Sequence, residues 1–368
     1  MRRNGLRAAL SVVAALALAG GVAACGSDDN GGGGGGGKGG KIALLLPETK
    51  TARYESQDRP LFEAKVKALC SDCEIIYSNA DQDASKQQQQ AEAAITNGAK
   101  VLVLDPVDSA SASGIVTRAK QSKIPVVSYD RLITKADVDY YISFDNVQVG
   151  KLQATSLVNE MKKQGNGSGT IFMINGAPTD NNAKLFKQGA HSVLDNSGLK
   201  IGKEYDTPDW SPDKAQNEAQ QAITALGKNG FDGVYAANDG TAGGAIAAMK
   251  GAGIDPSTRP TTGQDAELAA IQRILAGQQF MTVYKAIKPE AEQAAQLAVA
   301  LVKGESAPSG LVNGKTDNGQ KQVDSILLKP VAVTADNVQD TIVKDGFWKP
   351  SEICTKAYAA DCKKHGVQ

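Results

Sequence analysis

From Lys41 onward, short apolar runs alternate with helix-length segments, and most runs stop at a polar residue. Ile42–Leu46 reads as a strand. Phe62, Val66 and Leu69 then recur at i, i+4 and i+7, the spacing of one helix face. The alternation continues through Glu74–Tyr77, a Gln-rich helix over Ser85–Thr96, Val101–Leu104, a helix over Ser109–Gln121 and Pro125–Tyr129. The second half repeats it with Thr170–Ile174, a helix from Asn182, Gly233–Ala237, a helix over Thr241–Lys250, and Thr261–Gly263. Strands joined by crossover helices make a parallel sheet with helices on both faces. At 368 residues the chain has length for about two such domains. The halves also echo each other: Asp105 and Asp130 follow successive strands 25 residues apart, and Asp239 and Asp265 do so 26 residues apart. The expectation is an α/β chain of two doubly wound parallel-sheet lobes of similar construction.

The first residues do not fit that pattern. Arg2, Arg3 and Arg7 form a basic start, an apolar run follows to Ala19, and the stretch closes on Val22-Ala23-Ala24-Cys25. This is the layout of a secretory signal, and the run is too short for a membrane span. The closing tetrapeptide resembles the lipobox of bacterial lipoproteins, which marks 1–24 as a signal peptide and Cys25 as the lipidation site. Residues 25–40, mostly Gly, have almost no side chains to bury and read as a flexible tether. No strand precedes these glycines and no Gly-Lys-Ser/Thr follows, so they are not a phosphate loop. Lys+Arg 40 balances Asp+Glu 40; without the three leader arginines the mature chain carries a small negative charge. Nothing in that balance invites nucleic acid. Two histidines give little scope for a zinc site or a His-centred triad.

Cys70, Cys73, Cys354 and Cys362 are an even set in an exported chain. Three pairings are open, and the local one, Cys70 with Cys73 and Cys354 with Cys362, is the expectation. A strand, not a helix, follows Cys70-Ser71-Asp72-Cys73, which favours a structural staple over a redox motif.

Function is expected where the strands stop. Tyr129-Asp130-Arg131, Asn175, Asn238-Asp239, Gln264-Asp265 and Tyr284-Lys285 all stand at the ends of the expected strands. In open α/β sheets ligands bind at the carboxyl ends of strands, and two facing lobes make a cleft there. The set mixes acceptors (Asp130, Asp239, Asp265), donors (Arg131, Lys285) and amides that do both (Asn181, Asn182, Asn238). A neutral polyol such as a sugar needs that mixture, because each hydroxyl both donates and accepts. Trp210 or Tyr54 could pack on the apolar face of a sugar ring, and the polar loop around Trp210 argues for partial exposure. Trp348 reads as tail packing. Taken one at a time, these Asp and Asn residues could equally be helix caps.

Longer stretches carry a family likeness. Tyr129-Asp130-Arg131, Tyr141–Asn146, Asp180–Phe186, Asn238–Ile246, Gly263–Ala266 and Met281–Lys285 resemble the xylose-binding proteins of bacterial ABC importers. These belong to the ribose- and galactose-type periplasmic binding proteins, and the likeness runs from Lys41 to about Trp348. It implies two lobes joined by a three-segment hinge, with lobe one at 41–146 and 286–320 and lobe two at 147–285 and 321–368. It implies sugar contacts at Arg53, Asp130, Arg131, Asn182, Trp210, Asn238, Asp265 and Lys285. Tyr54 stands where the family carries a Trp, which makes that wall smaller, and Pro47-Glu48 stands where it carries an acidic pair. The implied protein is a monomeric, non-enzymatic receptor without cofactor or metal. Its partners are a monosaccharide, D-xylose ahead of another aldose (glucose, ribose, arabinose or galactose), and an importer permease with its ATP-binding subunit. It touches the membrane through its lipid alone.

Other readings fare worse. A glycosidase could draw its two carboxylates from Asp130, Asp239 and Asp265, but nothing suggests a water-activating arrangement. A lac-repressor-type regulator would carry a helix-turn-helix where this chain has an export signal. The calcium-loop hint at Asn79, Asp81 and Asp83 fails because Ala84 and Gln90 stand where Gly and Glu are needed. Gly165, Gly167 and Gly169 precede a strand instead of following one, so a dinucleotide loop fails as well.

Overall fold

The structure, a computed structural model, describes residues 39–368. The signal peptide, Cys25 and nearly all of the tether lie outside the described residues.

Lobe one begins β1 (Lys41–Leu46), α1 (Arg59–Leu69), β2 (Glu74–Asn79), α2 (Ala84–Thr96), β3 (Ala99–Leu104), α3 (Ser113–Gln121), β4 (Val126–Tyr129) and β5 (Tyr140–Phe144). The chain crosses into lobe two for α4 (Asn146–Lys163), β6 (Thr170–Asn175), α5 (Asn181–Leu194), β7 (Lys200–Asp206), α6 (Pro212–Leu226), β8 (Gly233–Ala236), α7 (Asp239–Gly251), α8 (Leu268–Leu275) and β9 (Met281–Tyr284). It returns for α9 (Ile287–Val302), β10 (Gly314–Asp317) and β11 (Gln322–Leu328), then crosses again for β12 (Val331–Thr334) and a tail with α10 (Pro350–Ile353) and α11 (Ala359–Lys364).

Seven strands form the first sheet in the order β10-β11-β5-β4-β3-β1-β2, parallel except for β10. The run β2-β1-β3-β4-β5 is a doubly wound order with its switch point beside β1. Strand alternation explains why β1 reads as an unbroken apolar run. Ile42, Leu44 and Leu46 pack with Phe62 and Val66 of α1 and the alanines of α9. Ala43 and Leu45 face Ala91 and Ala94 of α2 and Ile115 of α3. A strand covered on both faces needs apolar residues at every position.

Lobe two repeats the plan with the order β7-β6-β8. The expected strand Thr261–Gly263 is present only as isolated bridges, Thr261 to Val234 and Gln264 to Val283, which link β8 to β9. Ile171 and Met173 of β6 face α4 and α5, while Phe172 and Ile174 face α6 and α7. The helix expected from Ser109 starts at Ser113, because Ser109–Ala112 turns beneath lobe two.

One expected boundary moves. β11 pairs with β5 from Asp324 to Leu328, and Val323 and Ile326 are buried in the lobe-one cores. Residues 321–328 therefore lie in lobe one, and the third crossing is the link from Leu328 to Val331, not residue 320. The three crossings run together: the Asp145 amide donates to the Leu328 carbonyl at 3.0 Å, and Val331 pairs with Tyr284. Cys70 is bonded to Cys73 and Cys354 to Cys362, the local one of the three open pairings.

Candidate functional site

The carboxyl ends of the strands in the two lobes face each other across a buried cavity of about 20 Å³. From lobe one, the segment after β1 brings Thr51, Arg53 and Tyr54, and the turn after β4 brings Asp130 and Arg131. From lobe two come Asp180 and Asn182 at the start of α5, Phe186 one turn on, and Trp210 ahead of α6. Asn238 follows β8, Gln264 and Asp265 follow the bridge segment, and Lys285 follows β9 at a crossing. All nine residues expected from the sequence line this one cavity, and Thr51, Asp180, Phe186 and Gln264 join them.

Several of these positions depart from ordinary backbone. Asp130, Trp210 and Asp265 have φ of +53°, +53° and +94°. Left-handed backbone away from Gly persists only where the surroundings hold it, and it clusters at functional sites. For Asp265 part of that hold comes from the tail, since Trp348 Nε1 donates to the adjoining Ala266 carbonyl at 2.8 Å.

The charges pair with one another. Arg53 Nη2 meets Asp130 Oδ2 at 2.5 Å, and its Nε lies 3.7 Å from Asp265 Oδ1. Lys285 Nζ stands 3.5 Å from Asp130 Oδ1 and 3.3 Å from Asp265 Oδ1. Arg131 Nε meets Asp180 Oδ2 at 3.1 Å and Asp105 Oδ1 at 3.5 Å, with Glu48 Oε1 at 3.7 Å from Nη2. Burial works to raise the Asp130 pKa, but Arg53, Lys285 and Arg131 outweigh it and hold the carboxyl well below its usual range. For Asp180 and Asp105, burial wins over Arg131 and pushes both carboxyls up. The lining itself holds three cations (Arg53, Arg131, Lys285) against three carboxyls (Asp130, Asp180, Asp265). A lining so matched has no surplus charge for an ionic ligand and a dense array of donors and acceptors for a neutral one.

Tyr54, Phe186 and Trp210 supply the apolar wall. Trp210 is buried, not partly exposed as its polar loop suggested: its indole packs edge-on to Phe186 and donates to Asp180 Oδ2 at 3.1 Å. A Cβ on Gly176 would come within 1.9 Å of the indole, so only glycine lets the ring lie here. Tyr54 donates its hydroxyl to Asp130 Oδ2 at 2.9 Å.

The remaining strand-end residues divide plainly. Asn238 does two jobs, since its Oδ1 caps α7 through the Thr241 amide at 2.8 Å while the residue lines the cavity. Asp239 is off the cavity, bonded to Gln279, Thr282 and the Glu267 amide. Asn181 gives its amide to Ser109 Oγ, outside the lining. In the sequence Asp180, an Asp before a helix, reads as a cap. It is one, accepting from the Asn182 amide, yet its second oxygen serves Trp210 and Arg131. Among the described residues no grouping of His, Cys, Asp and Glu could hold a metal ion, and no helix is long and apolar enough to cross a membrane.

The model of the periplasmic binding protein domain matches residues 42–306. The D-xylose-binding periplasmic protein of Escherichia coli K12 is 40% identical over 317 residues, 85% of this chain and 92% of that one. The protein of the same name from Haemophilus influenzae is 40% identical over 311 residues, 83% of this chain and 90% of that one. Among solved structures, an ABC transporter solute-binding protein from Clostridium phytofermentans with bound β-D-glucose superposes with a TM-score of 0.78 at 30% identity, covering 85% of this chain and 99% of that one.

Proposed function

The chain belongs to the periplasmic binding protein domain family, in its two-lobed type I fold, and from that premise we propose that it is an exported receptor for a monosaccharide, D-xylose in the first instance, serving an ABC importer. The observation that carries this reading is the interlobe lining: three cations matched by three carboxyls, with amides and an aromatic wall among them. A sugar presents hydroxyls to the first group and a C–H face to the second. The 40% identity to two D-xylose-binding proteins supports the pentose.

The proposed mechanism is hinge closure. A cavity of about 20 Å³ has room for about one water, so a sugar enters only when the lobes part. Arg53, Tyr54, Asp130 and Arg131 would engage it from lobe one; Asn182, Trp210, Asn238 and Asp265 from lobe two; Lys285 from the hinge. A ligand that touches both lobes favours the closed form by its differential affinity for it. The closed receptor then hands its sugar to a permease driven by an ATP-binding subunit. Cys25, acylated after removal of residues 1–24, would tether the receptor, as a monomer, to the outer face of the cytoplasmic membrane.

Isothermal calorimetry against a monosaccharide panel tests the specificity. Tightest binding of D-xylose is the expected result, and no binding of any sugar would end the reading. A second reading, a broader aldose range including glucose, draws on Tyr54 as a smaller wall and on the glucose-bound neighbour. It predicts comparable affinity for D-glucose in the same panel. The anchor is tested separately: Cys25→Ser should move the protein from the membrane pellet to the soluble fraction.

A further inference from the structure

Arg53 has a cavity side and a back side. Toward the cavity it meets Asp130 and Asp265. Behind, its Nη1 lies 3.3 Å from Asp58 Oδ1 and 3.4 Å from Glu290 Oε2, two carboxyls that do not line the cavity. Asp58 ends the helical turn leading into α1, and Glu290 lies in the first turn of α9, far along the chain. Both are sealed from water, at 1% and 0% exposure. We propose that Glu290 is a positioning residue for sugar recognition, fixing the orientation of the Arg53 guanidinium beside Asp130 from outside the cavity. This rests on the reading of the cavity as a sugar site.

Counting the charges shows in which form Glu290 acts. Asp58, Asp130, Asp265 and Glu290 surround Arg53 and Lys285, four carboxyls against two cations, all nearly inaccessible. Four buried charges with two counter-charges cost too much desolvation, so protons must remain on some of the acids. Asp130 keeps its charge, held by both cations and by the Tyr54 hydroxyl. Asp58 accepts from Tyr129 at 2.5 Å and from Arg53. Among the described residues Glu290 has Arg53 as its one hydrogen-bond partner, and its Oε1, like Asp58 Oδ2, has none. Burial, with Asp130 adding to it, pushes Glu290 well up from the usual range against the pull of Arg53 and Lys285. Of the two acids behind Arg53, Glu290 has the fewer hydrogen bonds to hold a negative charge, and we assign it the neutral form. Its carbonyl oxygen accepts from Arg53 without competing with Asp130 for the guanidinium's charge.

The groups facing Glu290 are Arg53, Asp58, Asp130 and Lys285, with the Tyr129 and Tyr141 hydroxyls close enough to feel it. On the alkaline side, loss of its proton adds a charge behind Arg53 and draws the guanidinium back from the cavity. Sugar affinity of the native protein should then fall.

Glutamine has the shape of the neutral acid and cannot titrate. Calorimetry with D-xylose and D-glucose on the full chain, wild type beside Glu290→Ala and Glu290→Gln, tests the proposal. Wild type binding neither sugar would remove the sugar reading itself, independently of Glu290. Given wild-type binding, Glu290→Ala should lose at least about tenfold in affinity. Glu290→Gln should regain most of that loss at neutral pH and show a flatter alkaline limb. Thermal unfolding of each variant identifies any failure to fold, and the Gln variant then carries the test. A Gln variant as weak as the Ala variant, or an Ala variant as tight as wild type, would overturn the proposal.

Discussion

At the scale of single residues, binding energy should concentrate where a buried charged or aromatic side chain reaches the cavity. Asp265 bridges Lys285 and Arg53, so Asp265→Ala removes a proposed sugar contact and leaves two cations short of a partner. An unsatisfied buried partner costs about 1–3 kcal/mol, and sugar affinity should fall at least roughly tenfold. Trp210→Ala should also weaken binding, through lost stacking area, and Gly176→Ala should do so indirectly by displacing the indole. His191 is occupied at the surface with Asp195 and Glu204, so His191→Ala should leave affinity unchanged in the same titration. If His191→Ala weakens binding while Asp265→Ala and Trp210→Ala do not, the cavity is not the sugar site. Asp130 and Asp265 could be read from the sequence because each stands just after an expected strand. Arg53 became visible only through family likeness, since it lies seven residues beyond β1, at the start of the helical turn that leads into α1. Glu290 left no trace, because a Glu in the first turn of a helix looks like an ordinary dipole partner.

At the scale of elements, Asn238 shows why caps and ligand contacts are hard to tell apart in a sequence. The same side chain closes a capping box with Thr241 and lines the cavity. The two roles can be separated by substitution. Serine caps a helix about as well as asparagine but has no side-chain amide to present to the cleft. Asn238→Ser should keep the thermal midpoint near wild type while losing sugar affinity, and Asn238→Ala should lose both, with about 1 kcal/mol of stability gone. Equal affinity in wild type and Asn238→Ser would assign the residue to capping alone. The faint repeat between halves also acquires a geometric meaning. Asp130 and Asp265 both line the cavity, and Asp105 and Asp239, their counterparts one strand earlier, are both fully buried outside it. Equal spacing along the chain produces equal depth in each lobe, because both lobes wind their sheets in the same order.

At the scale of the whole molecule, the buried acids give stability a definite pH dependence. Burial raises Asp58 to about 6 and Asp239 to about 7, and it lifts Asp105, Asp180, Glu267 and Glu290 as well. An acid with a higher pKa folded than unfolded destabilises the fold as pH rises from the ordinary carboxyl range through the folded value. His191 acts in the same direction at higher pH: burial opposes its proton, Glu204 and Asp195 outweigh burial, and the stability this gives is lost as the proton leaves. Asp130 and Glu204, whose pKa values are depressed, matter only at acid pH below the ordinary range. The thermal midpoint should therefore be higher near about pH 5.5 than near about pH 8, measured by circular dichroism without sugar. A midpoint that rises across that interval would contradict this assignment of protons.

The sequence by itself determined the lobes and the sheet edge where function gathers. Apolar runs of strand length, separated by amphipathic helices, can bury their surface only as a parallel sheet covered on both faces, and the residues ending each run then emerge on one edge. These are local and periodic signals, which a linear reading captures. Only the tertiary structure decided that β11 belongs to lobe one, that Trp210 is buried against Gly176, that Asp180 is more than a cap, and that Asp58 and Glu290 stand behind Arg53. Each of these depends on groups distant in the chain meeting at a distance of a few ångströms, and charge pairing, burial and close approach leave no periodicity for a sequence to display.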